Sequence, residues 1–145
     1  PINQSNNFIF NKFFRKITKN KNKTIKVLEI KGRKLEIKNF YEGVIKFDFE
    51  ELCNRNLGSE DFISIANNCD FLLIAELPNF SEDNSNQQQR FITLIDILYE
   101  KKIPLMISSE TNLENITSSK RLIEPFKRTL SRLFELTSPK DNFFT

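Results

Sequence analysis

Two arginines near the end of the chain have the spacing of an anion-binding site. In "PFKRTLSRLFEL" the apolar residues form one helical stripe, whereas Arg128 and Arg132 lie four residues apart on a different face. Like charges at this spacing destabilise an isolated helix slightly, and a bound phosphate or a pair of carboxylates would offset the repulsion. The alternative interpretation is a solvated pair that the carboxylate of Glu135 bridges.

A third arginine, Arg90, stands at the predicted start of another helix, in the middle of its apolar residues. A cation at a helix N-terminus has the wrong sign for the helix dipole, so it is expected to reach a specific anion or a subunit boundary. The alternative is a side chain that extends past the apolar surface to solvent. Asp96, at the edge of the same apolar face, suits a hydrogen-bonding role better than catalysis.

The apolar run "DFLLIAELP" raises the question of a metal site, because Glu76 stands where a strand would leave the sheet. A Mg²⁺ site would also need another oxygen ligand and the phosphates of a substrate. The sequence contains no Gly-Lys-Ser/Thr loop that could hold those phosphates. We therefore predict no metal site within this chain, and Glu76 becomes the polar end of an interior strand.

Other kinds of catalytic site lack their usual groups. The chain has no histidine, which removes the common general base of Ser-His-Asp and Cys-His sites. Its two cysteines, Cys53 and Cys69, fall on apolar faces, and we expect buried thiols in a reducing, cytoplasmic compartment. The net charge of +3 gives little support to a nucleic-acid partner.

The N-terminal residues, 1–23, form a basic, polar segment with a helical pattern inside it. The apolar residues Phe10, Phe13, Phe14 and Ile17 recur at the spacing of one helix face, and lysines and an arginine occupy the rest. Such a helix can dock on its own protein, lie on an anionic membrane or fit the groove of a partner. The chain begins at Pro1 without an initiator methionine, so we expect a fragment or a processed form.

The rest of the chain, residues 24–145, is predicted to be one α/β domain. A period of two on either side of Gly32 predicts a β-hairpin, and "GVIKFDF" predicts a further extended segment. A helix capped by Ser59 comes next, followed by a βαβ unit across residues 70–110, with "NFSEDNSNQQQ" as a mobile loop and "RFITLIDILYEKK" as the helix. A final helix is predicted from about Pro125 to Leu136.

Three segments, taken in order and spacing, resemble the C-terminal part of the ZapE-type cell-division ATPases, a family with mitochondrial relatives. They are "FDFEELCNRNLGSEDF", "QRFITLIDILYEKKIPLMISSE" and "FKRTLSRLFEL", and "IKGRKLEI" is similar to a preceding Gly-Arg segment of the family. The resemblance covers roughly residues 24–138. The chain departs from the family pattern at Gln89, where the family has an arginine, and at Leu136, where it has methionine.

The resemblance implies an AAA+-like P-loop ATPase that hydrolyses ATP with Mg²⁺. The chain would then be the C-terminal portion of a P-loop NTPase-like fold, with an N-terminal hairpin, a βαβ unit and a C-terminal helix. The Walker A and B motifs lie in the N-terminal part of the family, and nothing in this chain matches them. ATP and Mg²⁺ would therefore be bound through an upstream ATPase segment, and the chain alone would be inactive.

The resemblance also gives the three arginines expected roles. In an oligomeric P-loop ATPase an arginine near the end of the chain can reach the γ-phosphate, which implies Arg128 or Arg132 as the phosphate-contacting residue. Arg90 would have a similar or subunit-bridging role. The implied partners are further copies of the chain and a division-ring or membrane-protein client, at the periphery of the inner membrane. The alternative function is a non-catalytic module that binds a partner protein or a membrane surface.

Overall fold

A mixed five-stranded sheet organises the chain. The computed structural model describes residues 4–137, with side chains from residue 7 onward, so residues 138–145 of the predicted domain lie outside the described part. In chain order the helices and strands are α1 (Gln4–Thr18), β1 (Thr24–Ile30), β2 (Arg33–Tyr41), β3 (Val44–Asp48), α2 (Phe49–Cys53), α3 (Ser59–Asn67), β4 (Phe71–Leu77), α4 (Ser85–Glu100), β5 (Leu105–Ser109) and α5 (Ile123–Leu136). The predicted α/β class is confirmed.

The strands follow one another across the sheet in the order β1-β2-β3-β4-β5. The pairs β1–β2 and β2–β3 are antiparallel, and the pairs β3–β4 and β4–β5 are parallel. Helices α3 and α4 make the two crossover connections between parallel neighbours. Parallel strands need such crossovers, whereas the antiparallel β1 and β2 need only a tight turn.

That tight turn is formed by Lys31 and Gly32, which both adopt positive φ, at 49° and 80°. Turns of this mirror-image type match the right-handed twist of the strands they connect, which is why glycine is favoured there. The alternation then places Leu28 and Leu35 opposite each other on the buried face of the hairpin. The predicted turn of the β-hairpin at Gly32 is therefore confirmed.

The two faces of the sheet are covered by different helices. The main core lies between one face and helices α2 to α5, and it contains Leu72 and Ile74 of β4. On the other face, Phe71 and Leu73 pack against Phe10 of α1. Strand β4 is apolar along nearly its whole length because both of its faces are covered.

Two helix starts differ from the predictions. Gly58, not Ser59, is the N-cap of α3, because the carboxylate of Asp61 accepts a hydrogen bond from the Gly58 N–H at 2.8 Å. Helix α5 begins at Ile123, so Pro125 lies within its first turn, where a missing N–H costs nothing.

Helix α4 also starts earlier than predicted, within the stretch that was expected to be a mobile loop. It begins at Ser85 and includes all three glutamines of "SNQQQ". Ser81 accepts a hydrogen bond from the N–H of Asp83 and starts a short 3₁₀ turn that leads into the helix. The loop prediction was therefore wrong for residues 85–89. None of the described helices is long and apolar enough to cross a membrane.

Candidate functional site

A shallow groove of about 520 Å³ lies between the end of α4 and helix α5. Both of the arginines that the sequence placed on one face of α5 line it. The other lining residues come from α4 and the turn after it, and the full set is Asp96, Tyr99, Glu100, Lys102, Arg128 and Arg132. The groove therefore brings three cations and two carboxylates around one aromatic ring.

Arg132 is held inside this groove by α4. Its guanidinium forms an ion pair with the carboxylate of Asp96, and its Cζ lies 4.8 Å from the centre of the Tyr99 ring. A planar guanidinium can stack on an aromatic face while its N–H groups bind a carboxylate, so both contacts are made together. The positive charge of Arg132 is therefore already paired with a carboxylate of the same chain, that of Asp96.

Glu135, the carboxylate that the solvated-pair interpretation placed between the two arginines, contacts Tyr99. Its carboxylate is hydrogen-bonded to the hydroxyl of Tyr99, and this bond raises the pKa of Tyr99. The contact links the end of α5 to the ring on which the guanidinium of Arg132 stacks. One connected cluster therefore joins α4 and α5. It consists of Asp96 and Tyr99 from α4 and of Arg132 and Glu135 from α5.

Arg128 lies one helical turn before Arg132 and is exposed at the edge of the same groove. Among the residues that the structure describes, it has neither an ion pair nor a hydrogen-bond partner for its side chain. Lys102, after the end of α4, is exposed beside it. Arg128 is thus the arginine of this groove whose charge remains available to a ligand.

The side chain of Arg90 binds a backbone carbonyl group and not an anion. Its Nη1 donates a hydrogen bond to the carbonyl oxygen of Cys53, the last residue of α2, at 2.8 Å. A cation at a helix C-terminus is favoured by the helix dipole and satisfies a carbonyl that has no partner in its own helix. Because α4 starts at Ser85, Arg90 is not in the first turn, and the expected mismatch with the dipole of its own helix does not arise.

A second ion pair joins Arg33 and Asp61, which the sequence analysis did not single out as candidate site residues. Arg33 Nη1 lies 2.7 Å from Oδ1 of Asp61, a side chain with an exposed fraction of only 2%. Burial alone would raise the pKa of Asp61, but the hydrogen bonds from Arg33 and from the Gly58 N–H outweigh it and lower the pKa. The sequence contained a signal for this pair, since the two residues belong to the "IKGRKLEI" and "LGSED" segments.

These three contacts share a pattern. Each joins two of the segments that carried the family resemblance: Arg33–Asp61 ties β2 to α3, Arg90–Cys53 ties α4 to α2, and Arg132–Asp96 ties α5 to α4. In each case an arginine reaches an acceptor far away in the sequence. Arg33, Arg90 and Arg132 therefore hold the helices and the sheet together.

Glu76 lies at the carboxyl end of β4, beside a smaller cleft of about 290 Å³ that Glu110 also lines. Its backbone has φ of 65°, and its N–H donates to the hydroxyl of Ser108 at 3.1 Å. Within the described residues no group of three or more His, Cys, Asp or Glu side chains is placed to hold a metal ion. The cleft therefore has two carboxylates but no assembled ligand set.

Both cysteines are buried thiols in the main core. Burial raises the pKa of Cys69 to about 12 and that of Cys53 further still. The thiolate is the reactive form of cysteine, so neither residue can act as a nucleophile near neutral pH.

The fold and the groove together define an α/β domain in which Arg33, Arg90 and Arg132 have internal partners and Arg128 is the exposed arginine of the groove. The chain belongs to the AFG1-like ATPase family, whose model matches residues 1–141. It is 26% identical over 138 residues to the cell division protein ZapE of Escherichia coli strain K12, a match that covers 95% of this chain and 37% of ZapE. The resemblance to ZapE-type ATPases is thereby confirmed.

Two eukaryotic relatives match a shorter part of the chain. The uncharacterized protein C115.02c of Schizosaccharomyces pombe is 32% identical over 89 residues, which are 61% of this chain and 20% of that protein. Lactation elevated protein 1 homolog B of Danio rerio is 29% identical over 91 residues, 63% of this chain and 18% of that protein. The chain thus spans between about a fifth and two fifths of the length of these relatives. No solved structure matches it.

Proposed function

We propose that this chain forms the C-terminal part of an AAA+-like ATPase, in which Arg128 is supplied to the phosphates of ATP. The observation that carries the proposal is the contrast within the groove, where Arg132 is bound to Asp96 while Arg128 is exposed and unpaired among the described residues. Membership of an ATPase family supplies the reaction class. By analogy with the name of its bacterial relative, ATP hydrolysis would serve cell division, with quality control of membrane proteins as the alternative task.

The residues of the groove fit a phosphate better than a metal ion. Arg128 and Lys102 offer two exposed cations, and a guanidinium can donate two parallel hydrogen bonds to phosphate oxygens. Asp96 is already paired with Arg132, which leaves Glu100 as the remaining carboxylate of the groove. We therefore assign Mg²⁺ and most of the ATP contacts to an upstream ATPase segment with the phosphate-binding loop, and only the arginine to this chain.

Arg128 and Arg132 have different roles in this proposal because they have different positions on α5. When bound in the full-length protein, ATP would supply the phosphoryl group that is transferred to water, and Mg²⁺ would neutralise phosphate charge. The guanidinium of Arg128 would then stabilise the negative charge that develops on the phosphoryl oxygens. Arg132 acts as a positioning residue, because its contacts with Asp96 and Tyr99 fix α5 against α4. Arg128, on the same helix, is then presented at a fixed place.

The wider architecture is part of the same proposal. The sheet would be the C-terminal portion of a P-loop NTPase-like fold, with residues 1–23 as a basic polar segment whose helix packs on the sheet and residues 24–145 as one domain. The chain would assemble with further copies, so that Arg128 serves the nucleotide of a neighbour. We place the protein in the cytoplasm at the periphery of the inner membrane, and a non-catalytic module that binds such a surface is the second candidate function.

The test uses the full-length protein that contains this sequence together with its phosphate-binding loop. Arg128→Ala should lower kcat by on the order of a thousandfold or more, as loss of a phosphate-contacting arginine does in related NTPases. Arg128→Lys should remain impaired because an ammonium lacks the bidentate geometry. Lys127→Ala is the matched control, since Lys127 is the exposed neighbour of Arg128 and pairs with the exposed Glu124, and the kcat of this variant should equal that of the parent. Parent-like turnover by Arg128→Ala would overturn the proposal.

A further inference from the structure

Basic residues are concentrated at the start of the chain. Residues 1–28 contain no aspartate or glutamate and seven basic residues, namely Lys12, Arg15, Lys16, Lys19, Lys21, Lys23 and Lys26. The whole chain has 22 basic and 19 acidic residues, so the remainder carries a net negative charge. Such an asymmetry between parts of one chain points to an anionic partner for the basic part.

In the structure, the apolar stripe of α1 is not available to insert into a membrane. The apolar stripe of α1, which a membrane-bound amphipathic helix would insert, is packed against the sheet instead. Phe10 is buried, the ring of Phe13 lies 5.4 Å from that of Phe71, and the Lys46 ammonium lies 5.1 Å from the ring of Phe14. The apolar stripe therefore serves internal docking, as one of the predicted alternatives had it.

The opposite side of α1 presents a continuous basic stripe. At about 100° per residue, Phe8, Lys12 and Arg15 fall on one line that faces away from Phe10, and Lys19 follows directly after the end of the helix. All four are exposed. The positive charges thus stand on the outermost surface of the helix, with no acidic residue between them.

Exposed apolar side chains stand at both ends of this stripe. Phe8 and Ile9 have exposed fractions of 62% and 52%, and Ile25, just beyond the basic connection to β1, has 62%. Large apolar side chains beside a row of lysines are unusual on a face that meets only water. They are typical of surfaces that place cations at lipid headgroups and apolar groups at the acyl boundary.

We propose that the outward face of α1 docks on the surface of a bilayer containing anionic phospholipids. Lys12, Arg15 and Lys19 bind the headgroups, and Phe8 and Ile9 enter the interface. The phosphates of a nucleic acid would satisfy the cations but would give Ile9 no apolar partner. The inference rests on the peripheral location proposed above for the whole protein, and it is independent of the role of Arg128.

The placement of α1 leaves the rest of the molecule unobstructed. Helix α1 covers one face of the sheet, whereas α4 and α5 cover the other. A membrane beneath α1 would therefore lie on the far side of the sheet from the groove that contains Arg128. Docking and nucleotide chemistry can proceed in the same molecule.

The test is co-sedimentation of the full chain with vesicles of phosphatidylcholine, alone or mixed with phosphatidylglycerol. Binding is expected only with phosphatidylglycerol and should weaken as salt is raised, because exposed charges are screened. The triple variant Lys12→Gln, Arg15→Gln, Lys19→Gln should lose affinity by roughly fivefold for each charge, on the order of a hundredfold in all. Equal binding to both kinds of vesicle would overturn the proposal.

A matched triple variant controls for net charge. Lys101, Lys120 and Arg121 are exposed on elements at the other face of the sheet, and their replacement by glutamine changes the charge by the same amount. This variant should bind phosphatidylglycerol vesicles like the parent. If both triple variants lose affinity equally, the binding depends on net charge and not on α1, which contradicts the proposal.

A second pair of variants separates lipid from other polyanions. Phe8→Ser with Ile9→Ser should weaken vesicle binding and leave its salt dependence unchanged, whereas Ile63→Ser with Ile123→Ser, at exposed positions of α3 and α5, should have no effect.

Circular dichroism should show native helix content and an unchanged Tm for every variant, since all sites are exposed. Charge-dependent binding that ignores the loss of Phe8 and Ile9 would favour nucleic acid or an acidic protein and would overturn the lipid assignment. Normal vesicle binding together with normal turnover by Arg128→Ala would refute only the role of Arg128 at the nucleotide.

Discussion

Asp61 shows how a single buried carboxylate can join three parts of the fold. One of its oxygens pairs with Arg33 of β2, and the other accepts the N–H of Gly58 at the start of α3. Burying a carboxylate is unfavourable unless its charge is paired, and here Arg33 supplies the opposite charge while the Gly58 N–H binds Oδ2. The net effect is a lowered pKa, so the ionised form of Asp61 stabilises the folded state.

The direction of this pKa shift predicts how stability depends on pH. Because the pKa of Asp61 is lower in the folded than in the unfolded chain, its contribution is complete above the unfolded pKa of about 4 and is lost as pH falls through the folded pKa. Asp61→Asn should lower the free energy of unfolding at neutral pH by about 2 kcal/mol and make it less dependent on pH in acid. Urea unfolding between neutral and acid pH measures both quantities.

Glu60→Gln is the control for this experiment, because Glu60 is the neighbouring carboxylate and its pair with Lys31 is exposed. Exposed ion pairs contribute little to stability, so this variant should keep the stability and the pH profile of the parent. An Asp61→Asn protein whose acid profile has the parent slope would show that this carboxylate is not the group that titrates.

At the scale of elements, helix α4 is anchored through Gln88. This side chain is fully buried, its amide donates to the hydroxyl of Ser118 at 2.7 Å, and its carbonyl accepts the N–H of Ser119 at 3.1 Å. The contacts fix the segment between β5 and α5 against the first turns of α4. A buried N–H without a partner is costly, so the glutamine stabilises an otherwise irregular connection.

Gln88→Ala should therefore lower the free energy of unfolding by about 2 kcal/mol, because it leaves the buried N–H of Ser119 unpaired. Gln89→Ala is a matched control at the next, exposed position and should change stability by less than about 0.5 kcal/mol. Chemical denaturation of both variants gives the comparison. Equal stabilities for the two variants would mean that the connection is held by other contacts.

The same helix shows what sequence patterns could and could not predict. The hairpin and the apolar strand β4 followed from their periodicity, because the alternation of buried and exposed positions is a local property. The first turn of α4 was missed because "SNQQQ" has no apolar repeat, and its order depends on hydrogen bonds to residues 118 and 119. The N-cap at Gly58 was missed because the capping group is the side chain of Asp61 rather than of the cap residue.

The groove could be predicted only in part for a similar reason. The spacing of Arg128 and Arg132 correctly placed both on one face of α5. It could not indicate which of them would meet Asp96, since that depends on how α5 crosses α4. The same holds for Arg90, whose acceptor is a backbone carbonyl that no side-chain pattern reveals.

For the whole molecule, the sheet separates two surfaces of different chemistry. One carries the basic stripe of α1, and the other carries the groove between α4 and α5. The arginines that tie β2, α2 and α4 to their neighbours keep the second surface rigid. In the proposed ATPase these contacts fix the position of Arg128, for which the described residues provide no ion-pair partner.

The most direct test of this account measures stability and turnover together for Arg128→Ala and Arg132→Ala in the full-length protein. Arg132→Ala should lower the free energy of unfolding by about 1 to 2 kcal/mol, because a partly exposed ion pair and a stacked ring are lost, and turnover should fall with it. Arg128→Ala should abolish most of the turnover while the free energy of unfolding stays at the parent value. Unchanged turnover, or a loss of stability equal to that of Arg132→Ala, would contradict the assignment of Arg128 to the nucleotide.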